Sequence, residues 1–170
     1  MNDTQKALQA NPIHTIVLGG LAIGVLDFID ASTFFPLYFG ISFWDVWHGP
    51  AAGLIGREAS RAGGVNTALL GIAAHFAVAF CIASVYFAVS RLLPIVLRRP
   101  VIAGVIYGVA AHFAMQYVVI PLSAIGAMPS WPPFGSLLNS LIGHALLVGL
   151  PVALIAAWSA RRSVQQAAII

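Results

Sequence analysis

Five ionisable side chains stand inside long apolar stretches of this 170-residue chain: Asp27 and Asp30 in the first stretch, His75 in the second, His112 in the third and His144 in the fourth. A carboxylic acid in apolar surroundings must be protonated, or paired with a cation or a hydrogen-bond donor. Imidazole titrates near neutrality and also ligates borderline metals. Side chains of these types can form a proton site or a site for a divalent metal such as zinc or copper, with Asp27, His75 and His144 as its centre. Spacing adds direction. Asp27 and Asp30 are three apart and share one side of a helix with Gly20 and Gly24, a G-x-x-x-G stripe. Each of the intramembrane histidines follows a small residue by four positions, in the pairs Gly71 and His75, Gly108 and His112, and Ser140 and His144. Small residues let helix backbones approach closely, so the histidines are expected to face neighbouring helices and to converge on one interior site. Gln116, Asn139 and Asn66 are candidate hydrogen-bond partners. The glycine stripe could equally receive a second copy of the chain, which makes a homodimer an expectation.

Two other readings use the same residues. Two histidines from facing helices could ligate the iron of a b-type haem, with Gly71 and Gly108 making room for the macrocycle. Alternatively the polar layer locks the helices of an assembly subunit and binds nothing. Catalysis has the least support: G-x-S-x-G, H-E-x-x-H, C-x-x-C and P-loop motifs do not occur in the sequence, and Ser123 and Ser140 have no local sign of activation. The second and third stretches repeat a phrase, Gly71-Ile-Ala-Ala-His75-Phe-Ala77 and Gly108-Val-Ala-Ala-His112-Phe-Ala114. In antiparallel helices this would suit an inverted repeat.

The elements that must position these groups follow from composition. Apolar residues make up 60% of the chain and charged residues only 8%, against roughly 25% charged in a soluble domain. Four stretches reach the length of about 20 residues that a membrane crossing needs: about 13–38, 65–92, 101–125 and 134–158. The fold class expected is therefore an all-α, integral membrane four-helix bundle forming a single domain over 1–170. Lys6 precedes the first stretch as in a signal peptide, but no small-x-small cleavage site follows, and an uncleaved first helix is expected. Along helices rising about 1.5 Å per residue, the ionisable groups fall in one layer, central to slightly outer.

Basic residues set the orientation. Arg91, Arg98 and Arg99 lie between the second and third spans, and Arg161 and Arg162 follow the fourth, so both termini are expected in the cytoplasm despite Arg57 and Arg61 on the other side. Their placement at span ends marks topology and not a phosphate-binding face, so the partner expected is the lipid bilayer and not nucleic acid. Between the first two spans, 41–62 should lie at the outer interface, with a short helix over Ala51 to Ala62 stopped by Gly63 and Gly64. Trp44 and Trp47 are expected as belt anchors. The second outer connection, Met128-Pro129-Ser130-Trp131-Pro132-Pro133, is too proline-rich for a helix. Cys81 is expected to be a small packing residue, while His14 and His48, near the two interfaces, are expected to be incidental.

Several runs carry a resemblance: Leu26-Asp27-Phe-Ile-Asp30-Ala31, Gly63-Gly64 with Gly71-x-x-x-His75-Phe76, Tyr107-Gly108, Pro121-Leu122-Ser123, and His144 with Gly149-Leu150-Pro151. Over roughly 19–161 the chain resembles a widespread family of short bacterial inner-membrane proteins, distantly similar to the YagU-like membrane proteins. The resemblance implies four spans in a bacterial inner membrane, with Asp27, Asp30, His75 and His144 at the family's polar positions. His112 departs from it, an aromatic residue being associated with that place, which leaves an aspartate and two histidines as the core. The family implies no reaction.

Overall fold

A computed structural model describes residues 8–126 and 131–167. Lys6, and Met128, Pro129 and Ser130 of the connection between the third and fourth spans, lie outside the described residues. The described chain is all-α, with four helices long and apolar enough to cross a membrane: α1 (His14–Phe39), α4 (Gly64–Leu92), α6 (Pro100–Leu122) and α7 (Phe134–Gln165). Short helices join them: α2 (Phe43–Ile55) and α3 (Arg57–Ala62) between the first and second spans, and α5 (Ile95–Arg98) between the second and third. In the most apolar window of each span only 11% to 44% of residues are buried, so most of the apolar surface faces outward. Only a bilayer tolerates that as its solvent, which makes the chain a multi-pass membrane protein.

Local signals explain the helix ends. The Asn11 side chain accepts a hydrogen bond from the His14 amide at 3.1 Å as α1 begins. At its other end α1 stops at Gly40, which takes the left-handed conformation with φ 67°. Pro100 starts α6, where a missing amide hydrogen costs nothing. α1, α6 and α7 each contain a π-helical stretch, His14–Leu18, Met115–Val119 and His144–Gly149. Such widened turns interrupt the regular ladder and recur at functional sites.

Neighbours around the bundle do not follow chain order. α1 packs against α4 on one side and α7 on the other, and α7 packs against α6. The circuit is therefore α4, α1, α7, α6, and it stays open between the backbones of α4 and α6, which meet through Tyr107, its ring on Tyr86 and its hydroxyl on the Ile82 carbonyl. Toward one end the helices close on a core of small and aromatic residues that includes Ala83, Tyr86, Val152 and Ala156. The Asn11 amide donates to Ser159 Oγ at 3.0 Å there, and Arg91 bonds Gln9. The amino-terminal segment, the end of α4 and the last turns of α7 thus share one end of the bundle.

The segment between the first two spans differs from expectation. Its helix starts at Phe43 and not at Ala51, and it breaks at Gly56 (φ 83°) into α2 and α3. The start is fixed by a capping box: Ser42 Oγ accepts from the Asp45 amide at 3.2 Å, and the Asp45 carboxylate accepts from the Ser42 amide at 3.1 Å. Pro50, inside the helix, sacrifices only one backbone hydrogen bond. Trp47 is 1% exposed, so it is not a belt anchor but the contact through which α2 seats on α4.

Candidate functional site

Each of the four spans contributes to one cavity of about 250 Å³, room for about eight water molecules at roughly 30 Å³ each. Asp27, Asp30, His75, His112 and His144 all line it, with Gln116, Asn139 and Ser140 completing its polar wall. The convergence expected from the sequence is found. Ile23, Ala79 and Val148 supply apolar lining. Of the named candidates, Asn66 does not belong: it is exposed near the start of α4.

Within the cavity the groups form pairs. His75 Nε2 lies 2.9 Å from the Gly24 carbonyl oxygen, which can only accept, so Nε2 carries the hydrogen. The other ring nitrogen, Nδ1, faces Asp27 Oδ2 at 3.8 Å. That separation is too long for a hydrogen bond and short enough for one bridging water or a small side-chain rotation to connect the two. Asp27 accepts no hydrogen bond among the described residues and keeps 24% of its side-chain surface accessible. Asp30 is held differently, accepting from Asn139 Nδ2 at 2.9 Å across the contact between α1 and α7.

The remaining histidines meet each other. Their ring centroids are 5.1 Å apart, edge to face. His144 Nδ1 lies 2.9 Å from the Ser140 carbonyl oxygen one turn back, which fixes the hydrogen on that nitrogen and leaves Nε2 as the acceptor. His112 is 3% exposed and its ring makes no hydrogen bond among the described residues.

Backbone contact explains how the helices come close enough. A Cβ on Gly71 would run into the carbonyl of Trp47, and one on Gly108 into the carbonyl of His144. The two copies of the repeated phrase therefore do the same work. Each glycine seats a backbone carbonyl from a crossing helix, and the ring of that same residue packs edge-on against the histidine one turn later: Trp47 on His75 and His144 on His112, both at 5.1 Å.

These contacts bear on three expectations, and the exposure of Cys81 bears on a fourth. The space over Gly71 and Gly108 is filled by α2 and α7, so neither glycine makes room for a haem. Gly20 and Gly24 lie under the rings of Phe80 and Phe76 of the same chain, which closes the stripe to a second copy. Among the described residues no three histidine, cysteine, aspartate or glutamate side chains come close enough to hold a metal ion, because the site is divided into pairs across open space. Cys81 is exposed and not a packing residue. His14 packs on Trp158 at 5.4 Å and His48 lies 3.4 Å from Thr67 Oγ1, both away from the cavity.

Sequence reasoning missed Trp47, whose ring stacks on Phe28 at 4.5 Å and roofs His75. The available signal was Ser42-x-x-Asp45, which marks a helix start ahead of the Gly49-Pro50 pair that suggests a break. Compared with known proteins, the chain matches no family model, no curated protein and no solved structure.

Proposed function

We propose that this chain is a proton-handling protein of a bacterial inner membrane, both termini cytoplasmic, that binds and relays protons through its polar cavity in transport or homeostasis. The observation that carries the reading is the shared cavity: carboxylates and imidazoles from every span line one space large enough for water. Asp27 and His75 are its proton-accepting pair. With Nε2 committed to the Gly24 carbonyl, a proton added at the pair goes to Nδ1 or Oδ2 and passes between them through a bridging water or after a small side-chain rotation. His144, its Nδ1 likewise committed, offers Nε2 as the next acceptor, and His112 adjoins it. A proton needs no preformed ligand shell, so a site divided into pairs suits it better than it suits a divalent cation.

Orientation rests on the basic residues: Arg91, Arg98, Arg99, Arg161 and Arg162 gather at the end where Gln9 and Asn11 meet the end of α4 and the last turns of α7. Membership of the family of short bacterial inner-membrane proteins that is distantly similar to the YagU-like proteins belongs to the same proposal.

Proteoliposomes loaded with a pH-sensitive dye test it. Under an imposed pH gradient the protein should raise proton flux about ten-fold or more over empty vesicles, and Asp27→Asn should return it to background. His75→Gln, whose amide can still donate to the Gly24 carbonyl, should do the same without loss of fold. Background flux from the native protein, or stoichiometric metal in the purified protein, would replace this reading.

A further inference from the structure

The open side of the bundle carries a second cavity, of about 470 Å³, between α4 and α6. Its lining is almost wholly apolar, and Cys81, Val85, Ala114 and Val119 on its rim are exposed on the surface that faces lipid. Tyr107 closes one end, its hydroxyl donating to the Ile82 carbonyl at 2.6 Å and tying the two helices together there. Val78, Ile82 and Met115 line both this groove and the polar cavity, so the two spaces share a wall of three residues. One of the three, Met115, is unbranched and adaptable and stands at the first position of the π-helical stretch of α6.

We infer that the two spaces form one amphipathic binding site for an uncharged single-tailed lipid, with its polar head among Asn139, Gln116 and the histidines and its tail in the groove between α4 and α6. Adjacency supplies the shape: a polar chamber and an apolar trough that opens sideways to the bilayer, parted only by Val78, Ile82 and the adaptable Met115, fit a head and one chain once those side chains swing aside. Charge selects the head. Asp27 and Asp30 line the chamber and, among the described residues, no lysine or arginine lines either space, so a carboxylate or phosphate head meets two acidic groups and no permanent cation. Amide and imidazole groups offer hydrogen bonds to a hydroxyl or carbonyl head instead. The inference rests on the polar cavity being an exchanging site, as in the proton reading, and adds the class of molecule that reaches it from the membrane.

Cys81 is the chain's sole cysteine and lies on the groove, which makes it a built-in reporter. The full chain in phosphatidylcholine vesicles is labelled at Cys81 with a membrane-soluble carbene photoprobe, which needs no thiolate, in the presence of monododecanoylglycerol, dodecanoate or dodecane, which share a tail and differ in the head. Monododecanoylglycerol should slow labelling about ten-fold at saturation, while the other two leave the rate within about two-fold. Gln116→Leu and Asn139→Leu should abolish that protection while leaving the unprotected rate unchanged, the sign that the groove itself is intact. Equal slowing by all three compounds, no slowing by any, or protection that survives both substitutions would overturn the inference. Proton flux measured on the same vesicles separates the two ideas: flux that persists while protection fails removes only the lipid site, and loss of flux with protection intact removes only the proton reading.

Discussion

The two glycine-histidine phrases hold the same geometry with different chemistry. At His75 the partner ring is Trp47, the far nitrogen is anchored on the Gly24 carbonyl, and a carboxylate stands 3.8 Å away. At His112 the partner ring is a second imidazole, and neither an anchor nor a carboxylate is in contact among the described residues. The first station can hold a proton against a counter-charge, whereas the second can only pass one between rings. Nearly identical words in a sequence thus place a histidine, but its role is set by what the crossing helix delivers. In one case that helix is the short α2 and in the other a full span, α7.

Substitutions at the glycines would break both stations at once, and the largest effect is expected there. Gly71→Ala and Gly108→Ala each drive a Cβ into a backbone carbonyl that cannot rotate away. Each should destabilise the protein by about 3 kcal/mol, the upper range of overpacking, read as loss of thermal stability in detergent. Gly20→Ala and Gly24→Ala meet only the rings of Phe80 and Phe76 and should cost less, about 1 kcal/mol. Equal losses at all four would mean that the carbonyl contacts are not special.

Next in size is the split between the stations. Asp27→Asn should cut proton flux about ten-fold or more, and His112→Phe, which keeps an aromatic ring against His144, only about three-fold. Neither should change thermal stability by more than about 1 kcal/mol. If His112→Phe proved as damaging as Asp27→Asn, the stations would be equivalent and the contrast between them lost.

The smallest effect concerns the helix that roofs His75. Ser42→Ala removes one half of the capping box and should cost about 1 kcal/mol. Asp45 supplies the other half. Its hydrogen bonds with Ser42 hold its carboxyl below the usual carboxylate range. A lowered value in the folded state means stability that is present above the unfolded value, near pH 4, and is lost as pH falls through the folded one. The Tm difference between the native chain and Asp45→Ala should therefore shrink below about pH 4 and stay flat from pH 6 to 8.

Much of this arrangement was legible in the sequence, for stated reasons. Ionisable groups inside apolar runs are costly enough to stand out, and Gly71, Gly108 and Ser140, four residues before each histidine, pointed them at helix neighbours. What could not be read was which helices adjoin. Each span is apolar nearly all round, so no polar face marks the open side between α4 and α6, and nothing in the order of the spans says that α7 lies between α1 and α6. Division of the site into pairs depends on distances between helices, which spacing along one helix does not contain. Trp47 was lost because Gly49-Pro50 reads locally as a stop, whereas the capping box and the burial of the indole against Phe28 and His75 outweigh one forfeited hydrogen bond.

Infrared difference spectroscopy on the protein in lipid, stepped in pH and exchanged into D₂O, reads the Asp27 carboxyl directly. A protonated-carboxyl band that appears and disappears reversibly with pH, shifts in D₂O and vanishes in Asp27→Asn is what a proton-exchanging Asp27 beside His75 predicts. A spectrum unchanged by that substitution, or a band that ignores both pH and D₂O, would contradict it.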